Sequence, residues 1–576
     1  MLVLLVHPDD DAGYGPWSGS RWDRVIDMGA AGAMASGLAS EAIGVQIEGL
    51  PKLDTGDFKR IRQALAAGSG VLIDSHGFDW WDLFSIEFHQ QIERLCALRH
   101  VGETLAPTDE IFVSRPSLDS RLLESLLGQK LHYCAPPESA GRRLSRRVRA
   151  ALKFRPRQLM EILGDKYDGG YRLRRLTAPA PPKCPRPVVL VPSSYINVSR
   201  GAVAYALAVP ERDFLLVTTR ASGRMNEVPA NVSSATLASY ADGAVAALEL
   251  RRLIESWDVL EKHLALNDEL SVLARLGILS SVVPMLRSGL ATRDAWLRVF
   301  ESATVQSVLC GDEMNPSTRL PLLIARRRGV TALTFHHGAL DGRYRYRDHC
   351  ADVMLAKGQM EADYLTNACG LAEQRVVIAP APCAARTKTA RIGKSIAFFS
   401  EPYEVAGSRC RDVYRQTLPH LAKLAREQGC ELVLKLHPQE SRRERSGIAA
   451  LVLTKERFSI VEGPLTPELL NQAWFAVTVC STAAVDATLA GVPVFLCRWL
   501  DQSVYQYGEQ FVKFGAALPL TSPEDIASVP EHLANFTLRS SGSFCAEADT
   551  SQLRQLLGGD DPLTTEPEAR AEKAWA

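Results

Sequence analysis

The sequence predicts an α/β fold of doubly wound parallel sheets, arranged as two lobes that face each other across a cleft and carry helical insertions. Two observations predict it. Short runs rich in β-forming residues alternate with longer helical patterns, as strand–helix–strand units require. Near residue 390 the alternation starts afresh, which marks a second Rossmann-like domain.

In the first part, Leu2–His7, Gly70–Asp74, Glu110–Ser114 and Lys130–Cys134 read as strands, with Asp57–Ala66 and Ser85–Leu98 as helices between them. Residues 1-135 form one α/β unit. Residues 136-187 are a connector. Within it Arg142–Arg157 collects eight basic residues in 16 positions, and Leu144, Val148 and Leu152 recur every fourth residue. That pattern gives a basic amphipathic helix. It either lies on an anionic membrane or packs its apolar stripe on the protein with a solvated basic face. The proline-rich Thr177–Pro187 that follows excludes helix and central strand.

Residues 188-390 resume the α/β pattern, with strands at Val188–Val191, Phe214–Thr219, Ser307–Cys310 and Ala332–Phe335 and a largely helical stretch over Ser233–Ser302. Residues 391-535 hold strands at Ser395–Ser400, Glu431–Leu436, Phe458–Val461, Ala476–Val479 and Val492–Leu496, with helices at Arg409–Gln428, Pro467–Ala473 and Ala483–Ala490. Residues 536-576 read as a polar tail.

Composition narrows the function. Lys+Arg and Asp+Glu balance at 66 each, which argues against nucleic acid as the main partner. Twelve cysteines without a CxxC pair suggest neither a zinc ribbon nor a disulfide framework. The start MLVLLVHPDDD lacks the features of a signal peptide, and no apolar run nears the ~20 residues of a membrane span. The expectation is a cytoplasmic protein that touches the inner face of a membrane, if at all, through Arg142–Arg157.

Five segments carry chemistry. In Val477–Leu496 a buried strand ends in Cys480-Ser481-Thr482 and a helix starts at once. Ser481 or Thr482 can cap its free N–H groups, and the helix start attracts a phosphate. Asp486, one turn on, is within reach of a ribose hydroxyl. In Glu431–Pro438 a strand ends in Lys435, His437 and Pro438. His437 can donate to a phosphate or protonate a leaving group. Lys435 faces either the same edge or the other side of the strand. In Thr334–Gly342 a strand ends in His336-His337-Gly338, where Gly338 allows close backbone approach to a ligand. His337 is the functional candidate. Joint metal ligation by His336 and His337 is disfavoured, because neighbours on a strand point apart. In Leu309–Asn315, Asp312 and Glu313 follow a strand end, either as a general base at the cleft or as a solvated loop or cap. Pro192–Arg200 leads through Asn197 into a helix, and Arg220 follows the next strand. Both contact an acceptor, or Asn197 merely caps the helix.

The His437-Pro438 pair, the Ser481-Thr482 turn about 45 residues later and the AGVPV that follows resemble the donor-binding half of three families. These are the bacterial polysialyltransferases, the retaining β-Kdo transferases of capsule linkers and the CDP-glycerol glycerophosphotransferases. The resemblance spans about residues 300–500. It implies a GT-B glycosyltransferase in which His437, Ser481 and Thr482 hold the phosphate of an activated nucleotide. The expected site then has His437, Pro438, Ser481, Thr482, Asp486 and Lys435 on the donor side. Asn197, Arg220 and Gly338 lie on the acceptor side, and Asp312, Glu313 or His337 is the base. No metal and no cofactor is expected. The expected partners are a nucleotide-activated donor and a surface polysaccharide or glycolipid acceptor. Three rivals remain: a CDP-glycerol-type phosphotransferase, a nucleotide-sugar epimerase or hydrolase, and a non-catalytic partner in polysaccharide synthesis or export.

Overall fold

The computed structural model describes the chain except residues 8–9, 11–14, 18, 29–44, 46, 135–170, 172, 244–245, 339, 382–392, 404–408, 455, 502–504, 535–544 and 559–576. The basic stretch Arg142–Arg157 and most of the C-terminal tail lie outside the described residues.

Among the described residues there are three sheets, each wholly parallel. The first has five strands: β1 (Leu2–Val6), β2 (Arg24–Asp27), β3 (Ile47–Gly49), β4 (Glu110–Val113) and β5 (His132–Tyr133), in the order β3-β2-β1-β4-β5. The second has seven: β6 (Val188–Ser193), β7 (Asp213–Thr218), β8 (Val232–Thr236), β9 (Val305–Cys310), β10 (Thr331–Phe335), β11 (Val353–Ala356) and β12 (Val376–Ile378), in the order β12-β11-β10-β9-β6-β7-β8. The third has six: β13 (Ser395–Phe399), β14 (Glu431–Lys435), β15 (Phe458–Val461), β16 (Ala473–Thr478), β17 (Val494–Cys497) and β18 (Leu518–Leu520), in the order β15-β14-β13-β16-β17-β18. In each sheet the first strand pairs with the fourth. The chain reverses direction there and leaves a crevice at the strand C-termini, the ligand position in open α/β sheets. The fold is thus the expected α/β pairing of two lobes, with the N-terminal unit forming a third doubly wound sheet beside them.

The central strands bury both faces, so they read as continuous apolar runs: FFLLV-type sequences such as SIAFF in β13 and VVLVPS in β6 are buried throughout. The edge strands β3, β8, β12 and β18 are only partly buried and lack that signal. With the interior strands β2 and β11 they are each three to five residues long, and none of the six was expected from the sequence. Val232–Thr236, inside the stretch expected to be helical, is one of them; the helices Ala247–Leu264, Asp268–Arg275 and Val282–Ser302 come after it.

Gly70–Asp74 is not a strand but a loop with a single bridge, Ile73 to Asp79. Its apolar residues are held by the buried Asp74 carboxylate, which accepts from the backbone of His76 and Phe78, the Trp80 indole and the Arg293 guanidinium. The helix expected over Ser85–Leu98 is two pieces, a tight 3₁₀ turn over Ser85–Phe88 and an α-helix over His89–Glu103; a further short helix, Trp80–Phe84, precedes them and starts on the Asp79 cap.

The N-terminal unit is joined to the second sheet by a buried aromatic seam. Trp80, Trp81, Trp257 and Trp296 are fully buried, and the Trp81 and Trp257 rings stack with centroids 6.0 Å apart. Gly289 makes this contact close, because a Cβ there would lie 2.3 Å from the Trp80 ring. A buried tryptophan hides about 150–250 Å², about 4–6 kcal/mol each at ~25 cal/mol/Å².

The chain also returns. After β18 the helix Thr550–Leu557 packs on the second sheet, where Ser307 Oγ donates to the Leu557 carbonyl at 2.8 Å. Among the described residues no single helix is long and apolar enough to cross a membrane.

Candidate functional site

A cleft of ≈ 1830 Å³ opens where the strand C-termini of the second and third sheets face each other. The first unit adds His89 and Gln90, and the returning segment Cys545–Thr550 closes one side. Of the twelve expected site residues, nine line this cleft: Asn197, His337, Gly338, Lys435, His437, Pro438, Ser481, Thr482 and Asp486.

On the third-sheet side, the turn after β14 is held from within. Glu440, buried beneath it, accepts from His437 N at 2.7 Å, Ser400 Oγ at 2.8 Å and Arg445 Nε at 2.7 Å. Gln439 N donates to His437 Nδ1 at 3.2 Å. Burial, and then the nearby Lys435 ammonium, hold the His437 pKa below its usual value. The ring is therefore neutral at pH 7 with its proton on Nε2, a donor at the cleft wall. Lys435 lies on the cleft side; its Nζ donates to the Leu436 carbonyl at 2.6 Å, and burial lowers its pKa.

At the end of β16, Ser481 Oγ accepts from Ala483 N at 3.3 Å. Thr482, expected as an alternative cap, makes no capping bond to the helix Ala483–Leu489, because its own backbone is already helical. Its side chain faces the cleft instead. Glu401, unforeseen in the sequence, fills the crevice between β13 and β16. It accepts from Thr478 Oγ1 at 2.8 Å, Cys480 N at 2.9 Å and Val479 N at 3.2 Å, and so fixes the turn that carries Ser481 and Thr482.

On the second-sheet side, β10 ends at Phe335, so strand alternation no longer applies to His336 and His337. Both rings line the cleft, with centroids 4.4 Å apart. The Tyr195 hydroxyl lies 2.6 Å from His337 Nε2. Burial lowers both histidine pKa values, His336 well below its usual value. Four of the chain's twelve histidines (His89, His336, His337 and His437) thus face one cavity, each with its pKa lowered first by burial. Asn197 lies inside the helix Ile196–Ala208 and does not cap it. Gly338 sits where the two lobes come close: a Cβ there would be crowded at 3.0 Å from His336 Cε1 and would touch Thr482 Cγ2, a residue of the opposite lobe, at 3.5 Å.

Three expected residues do not line the cleft. Glu313 is buried, and its Oε2 accepts from Cys350 N at 3.0 Å and Ala351 N at 3.2 Å, which pins a loop. Asp312 is also buried and accepts from Arg343 Nη2 at 3.1 Å and Ser194 Oγ at 3.3 Å. The acidic pair turns inward because these backbone and side-chain donors wait there. Arg220 is exposed on the turn after β7. The residues that sequence reasoning missed are Tyr195, Asp341, Arg343, Glu401, Glu440, Tyr505 and Tyr507. The last two bridge the lobes: Gly342 N donates to Tyr507 Oη at 2.6 Å, and a Cβ on Gly342 would meet the Tyr505 ring at 2.1 Å.

Among the described residues one carboxylate–histidine cluster has metal-ligand spacing: Asp54, Asp57 and His100. It is the capping box of the helix Thr55–Ala66 in the N-terminal unit, with His100 Nε2 2.8 Å from Asp57 Oδ2. None of its residues lines the cleft.

Residues 287–498 match the family model described as "Putative glycosyltransferase (DUF6716)". The match runs from the helix before β9 through β17 and so takes in His337, His437, Ser481 and Thr482. No curated protein matches the sequence. Similar solved structures include S. aureus MnaA with UDP (13% identity, 65% of this chain and 95% of that one, TM-score 0.41), the Methanocaldococcus jannaschii UDP-GlcNAc 2-epimerase (10%, 62% and 97%, 0.38) and Acinetobacter baumannii MurG (12%, 65% and 99%, 0.37). Likeness at this level carries no weight for the activity.

Proposed function

We propose that the protein is a GT-B glycosyltransferase that moves a sugar from a nucleotide-activated donor to a polysaccharide or glycolipid acceptor, without a metal ion. One observation carries the reading: the His437 imidazole and the Ser481–Thr482 turn line one wall of the cleft, while His336, His337 and Gly338 line the other. The third-sheet wall supplies neutral donors and a helix start for a phosphate. His437 Nε2–H, the Ser481 and Thr482 hydroxyls and the Lys435 ammonium share the task of stabilising the leaving nucleotide. Asp486 holds a ribose hydroxyl. The second-sheet wall seats the acceptor, with Asn197 and Gly338 at its floor.

The basic stretch Arg142–Arg157 would bring the protein to an anionic membrane at the cytoplasmic face, next to a lipid-linked acceptor. A thermal-shift series with CMP, CDP, UDP and GDP tests the reading. The expected result is a selective rise in Tm with one nucleotide that is lost in His437→Ala. Flat melting curves with every nucleotide would overturn it.

A further inference from the structure

The N-terminal unit lies outside the matched family region, residues 287–498, yet it reaches the cleft. Its helix His89–Glu103 begins at the cavity, and His89 and Gln90, both in the first turn, line the wall. His89 Nδ1 lies 2.6 Å from the Ile86 carbonyl, which can only accept. The ring proton is therefore on Nδ1, and the lone pair is on Nε2 of a partly buried ring. Burial lowers the His89 pKa, so the ring is neutral at pH 7. Gln90 is exposed, and its carboxamide can both donate and accept.

Two tyrosines of the third lobe share this corner of the cleft. Tyr505 and Tyr507 line the cavity and are partly exposed. A chain of ring contacts joins them to His89: the His89 centroid is 5.8 Å from that of Tyr346, Tyr346 is 6.0 Å from Tyr505, and Tyr505 is 5.5 Å from Tyr507. The Tyr505 hydroxyl donates to Glu93 Oε1 at 3.4 Å, and the Tyr346 hydroxyl donates to the same oxygen. Glu93 follows His89 by one turn on the same helix face. The corner is therefore built by three units and is held in shape by the protein's own contacts.

Its chemistry matches a sugar ring. A pyranose offers a face of C–H groups and a rim of hydroxyls. Aromatic side chains cover the face. An imidazole lone pair and a carboxamide meet the rim, because a hydroxyl both donates and accepts. The charged groups beside the corner, Asp341 and Arg343, are paired with each other at 3.1 and 3.0 Å, so the corner suits a neutral ring better than a phosphate. Strand order sets its place. β17, whose exit leads to Tyr505, neighbours β16, whose exit carries Ser481 and Thr482. The corner thus adjoins the phosphate grip without being part of it.

We propose that the N-terminal unit forms a third wall of the cleft, and that His89, Gln90, Tyr505 and Tyr507 hold a neutral pyranose residue of the acceptor glycan. The assignment rests on the transfer reading above. It gives the unit outside the family region a role in the choice of acceptor.

Saturation-transfer NMR on the full-length protein tests the assignment, with the methyl glycosides of glucose, galactose, mannose, rhamnose and N-acetylglucosamine as probes. At least one should receive saturation on its ring C–H protons, and its Kd should weaken about two- to tenfold in His89→Ala and in Gln90→Ala. The Tm shifts with CMP, CDP, UDP and GDP should equal those of the wild type in both variants, because the nucleotide is gripped elsewhere. Transfer to no probe, or equal binding by the wild type and both variants, overturns the subsite. So does a nucleotide response lost in the variants, which would put the nucleoside in this corner. If no nucleotide shifts Tm in the wild type while a glycoside binds through His89 and Gln90, the transfer reading has failed and the sugar subsite stands. If a nucleotide shifts Tm and no glycoside binds, the reverse holds. Should His89→Ala not fold, Gln90→Ala decides, since its side chain is exposed.

Discussion

The first and third sheets share one strand order and therefore one crevice, but they use it in opposite ways. At the C-terminal ends of β13 and β16 the crevice opens into the cleft and is edged by hydroxyls and a neutral imidazole. At the corresponding edge of the first sheet, an arginine from the third lobe occupies the space. Arg409 donates to both carboxylate oxygens of Asp27, at 2.8 Å from Nη2 to Oδ1, and to the His7 carbonyl at 2.9 Å. Beside it Asp10 accepts from Ser114 Oγ at 2.8 Å and Arg115 Nε at 3.1 Å. Topology supplies the crevice; the side chains at the strand ends decide whether it admits a ligand or locks two parts of the molecule together.

The largest way to break the contrast is to unlock the closed crevice. Arg409→Ala leaves the buried Asp27 carboxylate without its main partner, so urea denaturation should show a loss of about 3–5 kcal/mol. Nucleotide affinity in the open crevice should hardly change. An equal fall in both would mean that the two crevices are one cooperative unit.

Acid distinguishes the two regions next. His349 is buried behind the cleft and its pKa is pushed down to about 4, first by burial. A histidine whose folded pKa is depressed binds fewer protons folded than unfolded, so its stability contribution is complete above pH ~6.5 and is lost as pH falls towards 4. The full loss for this one ring is about 3 kcal/mol. His349→Gln should flatten that part of a Tm-against-pH curve, while the four cleft histidines keep the remaining slope in the same direction.

A smaller effect, confined to the open crevice, should follow from His437→Ala. Losing a hydrogen bond to a charged phosphate costs about 1.5–3 kcal/mol, or about ten- to a hundredfold in nucleotide Kd by calorimetry, with Tm of the free protein within a degree or two. Smallest is Ser481→Ala. Removing one neutral hydroxyl should cost about 1 kcal/mol, roughly fivefold in Kd. Loss of folding in either variant would show that these groups serve the fold instead of a ligand.

The donor wall was legible in the sequence because its chemistry sits in contiguous motifs at strand ends. His437-Pro438 and Ser481-Thr482 each follow a buried run, and the parallel order then brings the two ends to one edge. The acceptor wall was legible in place but not in role. Tyr195 reaches His337 across 142 positions, and Asp341 and Arg343 belong to one short 3₁₀ turn, Gly342–Arg345 with Asp341 as its cap, too brief to show a period. Asp312 and Glu313 looked accessible because they follow a strand, yet the donors that bury them come from Ser194, Arg343 and the backbone of Cys350 and Ala351, all remote in sequence. His336 was passed over for His337, which directly precedes Gly338; the cleft receives both rings because the strand has ended at Phe335. The edge strands β3, β8, β12 and β18 were missed for a plainer reason: they are only partly buried, so no continuous apolar run marks them.

The returning C-terminal helix ties the third sheet to the second for a second time. The polypeptide passes from the second sheet to the third between Ile378 and Ser395, and passes back between Leu520 and Thr550. Non-covalent ties add to these crossings: Gly342 N donates to Tyr507 Oη at 2.6 Å and Gln510 Nε2 to Asp363 Oδ2 at 2.8 Å. Two covalent crossings shorten the range of separations open to the cleft walls when those bonds break, which lowers the entropy gained on parting.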